Sequence, residues 1–162
     1  MDAMAAKAQQ TIASNIYMSL ATSSLDGKPW ISPVFFAYDD RYNLFWVSDK
    51  EALHSRLIRI NPQVAIVMFN SQAREGEGDG VYFEASACEL SDISEIKHAM
   101  ATLGGRVTQD IFKVKRIEEV TADGAWRIYK AIPRIVSVLS DGEYVNGQYV
   151  DKRVVVSLDT NQ

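Results

Sequence analysis

Ser48, Lys50, Glu51 and His54 fall within one short stretch, Ser48 to Pro62, and their spacing suggests an anion seat. Ser48 and Glu51 stand in capping-box register, where the hydroxyl takes an orphan backbone N–H and the glutamate reaches back to the cap. A helix of about three turns is therefore expected to open at Ser48, with Leu53, Leu57 and Ile60 forming its apolar stripe. Asn61-Pro62 would stop it. Lys50 and His54 are four apart and so share a face, beside a helix N-terminus that carries about half a positive charge. Such a face can hold a phosphate dianion. The same residues also read as a capped connecting helix with Lys50, His54 and Arg56 in water.

Other chemistries find little support. Cys88 is the one cysteine, and the histidines are two, His54 and His98. That excludes an internal disulfide and supplies too few soft ligands for a closed zinc site, so no metal is expected. A formal charge of −4 without a basic stripe argues against nucleic acid. The run Glu75-Gly-Glu-Gly-Asp-Gly80 interleaves carboxylates that would repel phosphate, and it reads as a hairpin loop. No triad or carboxylate pair stands out. Cys88 reads as a small packed residue and His98 as solvated.

The elements that must position the anion seat follow from periodicity. Asp2 to Asn15 reads as a helix with Met4, Ala8 and Ile12 on one face. Strands are expected over Ile16–Ser23, Pro29–Asp39, Asn43–Val47, Gln63–Phe69, Val81–Leu90 and Ala125–Leu139. Asp26-Gly27 and Asn146-Gly147 mark hairpins. Ser91–Leu103 forms a helix ended by Gly104-Gly105, and Thr108–Val120 holds one or two short helices. Pro29–Asp39 is apolar on both faces, as in a barrel wall whose outer side meets helices or a second subunit. Pro33 within it belongs at an edge or bulge, either as an ordinary edge proline or where backbone groups are free for a ligand. No apolar run nears the ~20 residues of a membrane span, so a soluble cytoplasmic protein is expected, with no membrane partner. At 162 residues, one domain is the prior.

In order and spacing, Met18-Ser-Leu-Ala-Thr-Ser23, Asp26-Gly-Lys-Pro29, Ser32-Pro-Val-Phe35, Leu44-Phe-Trp-Val-Ser48, His54 through Ile66 and Gly80 through Ser86 resemble the pyridoxamine 5'-phosphate oxidase-like family. The likeness covers about Ile16 to Ser91 well and Ala125-Trp-Arg-Ile-Tyr129 more loosely. It implies a mainly β fold with helices (α+β), a six-stranded split β-barrel of the FMN-binding type. A single domain over 1–162 would carry an N-terminal helix and a C-terminal hairpin or tail. The family also implies a homodimer with FMN in clefts between the chains. Carried over by position, Ser48, Lys50, His54 and Ser55 look like phosphate and ribityl contacts. Ser32, Pro33 and Val34 look like the backbone edge facing the ring, with Ala21 and Thr22 beside it.

Two departures matter. The family more often has Lys or Arg where this chain has His54, which makes the phosphate charge depend on pH. True pyridoxamine phosphate oxidases resemble one another in a C-terminal Arg-X-His element, whereas this chain has Asp151-Lys-Arg-Val-Val155 and no histidine beyond His98. The expectation is an FMN-dependent oxidoreductase-like dimer acting on a small-molecule redox substrate, not a true pyridoxamine phosphate oxidase. The alternatives are a flavin-binding, sensing or stress-related dimer without turnover, or the same fold holding deazaflavin or haem.

Overall fold

Ten residues, Pro29 to Tyr38, make the sheet curl. In the computed structural model, which describes residues 2–158, Pro29–Phe35 forms strand β2 and Ala37–Tyr38 forms β3, separated by Phe36 alone. They follow helix α1 (Ala3–Ser14) and strand β1 (Tyr17–Ser23). Next come β4 (Leu44–Asp49), helix α2 (Leu53–Ile60), β5 (Gln63–Phe69), β6 (Gly80–Glu89) and helix α3 (Ile93–Arg106). Two 3-10 turns, Asp110–Phe112 and Ile117–Val120, lead to the long β7 (Trp126–Val145) and β8 (Gln148–Val155). Met1 and positions 159–162 of the expected 1–162 unit lie outside the described residues.

The sheet runs β2-β1-β5-β6-β7-β4-β3, with β8 added to β7. Its two terminal strands are thus neighbours in sequence, so the sheet must bend round until its ends approach, while β2 and β4 share no ladder. This is a split barrel with mainly antiparallel strands and three helices. It has eight strands instead of the expected six, because Phe36 interrupts one long strand and the Asn146-Gly147 hairpin adds β8 to β7, with a register shift between Ser140 and Glu143. Both residues of that turn have positive φ, 52° and 80°, as its tight geometry requires.

Alternation fills the barrel. Met18, Leu20, Phe36, Leu44, Trp46 and Phe83 point inward and are almost wholly buried, each contributing about 1.5–3 kcal/mol on burial. Ala8 and Ile12 of α1 join the same core, as the sequence suggests. On the other face of β4, Phe45 packs under Ile96, Ala99 and Leu103 of α3. Pro133 sits at a bulge: Ala85 pairs with it and Glu84 with Ile135, leaving Arg134 unpaired. A residue that cannot donate to a ladder is tolerated there.

Several expectations need correction. Gly104-Gly105 do not stop α3, which runs to Arg106. Arg106 anchors that last turn by donating to the Asn15 carbonyl at 2.6 Å and lying 4.7 Å from the centre of the Phe36 ring. Cys88 is exposed rather than packed, on the outward side of β6. Of the two covers expected for the outer side of β2, helices leave Ile31 63% exposed, and Trp30 is 46% exposed. His98 is solvated as expected, 3.5 Å from the Asp39 carboxylate.

Gly124, which leads into β7, tests how tightly this frame is built. A Cβ there would lie 2.5 Å from the Glu119 carbonyl oxygen and 2.7 Å from that of Glu118. We expect Gly124→Ala to lower the unfolding free energy by about 1–3 kcal/mol. Gly105→Ala, whose Cβ would meet nothing within 4 Å, should raise it by up to about 1 kcal/mol. Denaturant unfolding of both variants checks the pair, and equal midpoints would contradict it.

Candidate functional site

The stretch that opened the sequence reading folds differently from its expectation. Ser48 stays in β4, opposite Arg127, and α2 begins only at Leu53 with Ala52 as an N-cap that has no hydrogen-bonding side chain. No capping box forms. Instead Asp49 organises the turn, its carboxylate accepting the Glu51 N–H at 2.8 Å and its carbonyl the Ala52 N–H at 3.1 Å. The late start rotates the helix. His54, Ser55, Leu57 and Ile58 face the barrel, while Leu53 and Ile60 are 37% and 55% exposed.

With its Ser48 hydroxyl freed from capping, the turn gains a different bond. His54 Nε2 lies 2.9 Å from Ser48 Oγ, and Nδ1 lies 3.2 Å from Ser32 Oγ. Trp30 Nε1 donates to the same Ser32 oxygen at 3.0 Å. A neutral ring protonated on Nε2 satisfies the whole chain: Trp30 N–H to Ser32, Ser32 O–H to Nδ1, and Nε2–H to Ser48. Burial holds the His54 pKa below the usual imidazole value. Ser55, fully buried, donates to the Asp49 carbonyl at 2.8 Å.

The other candidates divide between faces. Thr22 is inward and 3% exposed, and Val34 sits in the core. Ala21 and Pro33 point to the outer side, where Ala21 pairs with Ile31 and Pro33 with Ser19. The Phe36 N–H donates to the Ile16 carbonyl at 3.3 Å, so by antiparallel alternation Trp30, Ser32 and Val34 turn their backbone groups to β1. Ile31, Pro33 and Phe35 turn theirs to the open edge. Of the expected trio, Pro33 alone faces outward with its backbone, and its missing N–H falls where no ladder needs it.

Lys50 lies in the turn between β4 and α2, its N–H bonded to the Ala125 carbonyl at 2.9 Å. Among the described residues its ammonium has no hydrogen bond or ion pair. The Arg59 guanidinium donates to the Lys50 carbonyl. The first N–H groups of α2 have no side-chain cap, as the first turn of any helix lacks internal acceptors.

A cavity of about 500 Å³ was not foreseen from sequence. It lies between α3 and the outer faces of β2 and β4, walled by Phe35, Val47, Met100, Gly104, Phe112 and Trp126. Trp126 pairs with Asp49, so this wall and the Lys50 turn belong to one piece of sheet. The available signal was a Trp beside an outward-alternating Val, which periodicity alone reads as ordinary strand. Among the described residues no group of three or more His, Cys, Asp or Glu could hold a metal ion, and no helix is long and apolar enough to cross a membrane. With His54 locked between hydroxyls, the arrangement suits binding better than proton transfer.

The profile of the pyridoxamine 5'-phosphate oxidase family matches residues 4–130. No curated protein sequence matches the chain. Among solved structures, a heme binding protein from Mycobacterium smegmatis is 17% identical with a TM-score of 0.71, covering 96% of this chain and 59% of that one. The chain thus spans little more than half of that relative's length. HutZ, a heme storage protein from Vibrio cholerae, is 20% identical with a TM-score of 0.65, covering 81% and 90%. A FAD-binding protein from Mesorhizobium loti is 20% identical with a TM-score of 0.61, covering 85% and 94%. At these identities the likeness establishes the fold.

The buried imidazole gives stability a pH dependence. Folding disfavours the ring's proton, so the unfolded chain binds it more readily once pH falls below about 6.5, its ordinary pKa. The contribution is complete above that value and is lost as pH drops through the window beneath it, with a slope of at most about 1.4 kcal/mol per pH unit. Between about pH 7 and pH 5 the protein should lose stability relative to His54→Gln. A difference that stays constant across that range would contradict the assignment.

Proposed function

Because the chain belongs to the pyridoxamine 5'-phosphate oxidase family, we propose that it is a flavin-binding protein. FMN would be its cofactor, held at a homodimer interface, with electrons or hydride passing to a small molecule. The observation that carries this reading is the conjunction of three features at one place. They are a lysine without a partner beside an uncapped helix start, the open β2 edge, and an apolar cavity on the adjoining strands.

The residues fit the nucleotide with one change from expectation. His54 does not serve as phosphate counter-charge, since both ring nitrogens are engaged and burial keeps the ring neutral. Lys50 and the first N–H groups of α2 would hold the phosphate, with Ser55 acting through its bond to Asp49. Ile31, Pro33 and Phe35 offer carbonyls, and two of them N–H groups, to the polar edge of the ring. Ser32, Ser48, Thr22 and Val34 act from behind, fixing the strands, and Ala21 lies on the outer face near Ile31. When bound, the flavin supplies the redox chemistry and the protein supplies placement. The C-terminal strand carries Asp151-Lys152-Arg153 where pyridoxamine phosphate oxidases have an Arg-X-His element, so a different small molecule is the proposed acceptor.

A two-fold partner would cover the outer face around Ile31, the commonest arrangement for soluble chains. The single cysteine suits a reducing cytoplasm. A second reading, haem in the same fold, is favoured by the two heme-binding structures. Against it, His54 is committed on both nitrogens, and His98 stands by Asp39 outside the cavity lining.

The visible spectrum of freshly purified protein separates flavin, deazaflavin and haem. FMN added to apoprotein should quench on binding, and Lys50→Ala should weaken that affinity by about 1.5 kcal/mol or more, the low end for hydrogen bonds to charged groups. Sedimentation should give a dimer at micromolar concentration. Oxidation of a nicotinamide reductant by the loaded protein would mark an enzyme, and a flavin that never turns over a binding or sensing protein. A Soret band with no flavin bound would overturn the reading.

A further inference from the structure

We propose that the cavity beside α3 receives the substrate of this site, and that the substrate is a flat, mainly apolar molecule with at most one anionic group. The proposal rests on the flavin reading for its role and on the cavity for its chemistry.

The lining decides the class of ligand. Phe35, Val47, Met100, Phe112 and Trp126 give an aromatic and aliphatic wall, and about 500 Å³ is an ordinary size for a small-molecule pocket. Charge is sparse. Lys113 and Glu119 are the charged residues of the lining, and Glu119 is already paired with Arg116 at 3.3 Å. One ammonium can meet one carboxylate or sulfonate, whereas a phosphate dianion on a polar pyridine ring would enter a largely apolar chamber with most of its hydration unreplaced.

Gly104, part of the cavity wall, points the same way. It sits inside α3, where glycine is a poor choice, and it has neither of the usual excuses. Its φ is not positive, and an added Cβ would meet no atom within 4 Å. The space it leaves open is cavity. On the outer wall, Ile111 and Phe112 of the first 3-10 turn are 82% and 70% exposed, apolar side chains that a seated ligand would cover. The pocket also adjoins the proposed cofactor. Phe35 lies on the open edge strand, Val47 immediately precedes Ser48, and Trp126 is opposite Asp49.

Two probes that share an aromatic body test the idea on the protein as purified. They are the sulfonate 1-anilinonaphthalene-8-sulfonate and its neutral counterpart N-phenyl-1-naphthylamine. Each should bind saturably at one site per chain, and pyridoxal 5'-phosphate should displace neither. Gly104→Phe, whose Cβ meets no atom within 4 Å and whose ring would occupy the space beyond it, should weaken both by roughly tenfold or more. Gly104→Leu provides the smaller filling, with helix content checked by circular dichroism. Lys113→Ala should weaken the sulfonate several-fold and leave the neutral probe unchanged. Probe affinity unmoved by both Gly104 variants, displacement by pyridoxal phosphate, or a dimer that excludes both probes because a second copy covers the cavity would each overturn the proposal. FMN titration of the same samples separates the two ideas. Probe bound without flavin refutes the cofactor reading alone, and flavin bound without probe refutes the substrate pocket alone.

Discussion

The His54 imidazole, held between two serine hydroxyls, ties the β4–α2 turn to the edge strand β2, with which β4 shares no ladder. Ser32 belongs to the edge strand β2, Ser48 to β4, and His54 to α2. No ladder joins β2 to β4, so at this place a side chain bridges the gap left by a barrel that does not close. A neutral ring suits that position. It donates from one nitrogen and accepts at the other, which a lysine or arginine could not do. Placing a cation there would leave one hydroxyl seeking another partner and add the desolvation of a charge.

The bridge matters because of how the sheet is closed. With Phe36 as the one residue between the strands at its two ends, the curl of the sheet and the position of the β2 edge are a single variable. The core side chains set the radius of that curl, and the imidazole sets how far the edge stands from α2. The anion seat and the open edge therefore share one rigid frame. The apolar cavity lies on the outer face of the same two strands, beneath α3, and adjoins that edge and turn through Phe35, Val47 and Trp126.

Much of this was legible in sequence where local chemistry decides. Asp26-Gly27 and Asn146-Gly147 form turns where expected, Gln63–Phe69 is a strand to the residue, and Ala8 and Ile12 pack as their spacing implies. The resemblance to the family set Ser48 and His54 at the phosphate and Ser32 at the ring edge. It did not foresee that the three would come together in one hydrogen-bonded chain. The capping box failed because tertiary pairing extended β4 through Ser48 and took the serine before the helix could use it. Gly104-Gly105 misled because packing of Arg106 on Phe36 and Tyr38 carries the helix past them. Whether Pro33, rather than Ser32 and Val34, offers its backbone to the open edge depends on register, which periodicity alone does not supply.

A crystal structure of the protein grown with FMN puts the central claim to its most direct test. The account requires the phosphate beside Lys50 and the first turn of α2, the ring along Ile31 to Phe35, and His54 still bonded to both serines. A phosphate seated on a His54 that has broken from Ser32 and Ser48, or no nucleotide at this turn at saturating concentration, would contradict it.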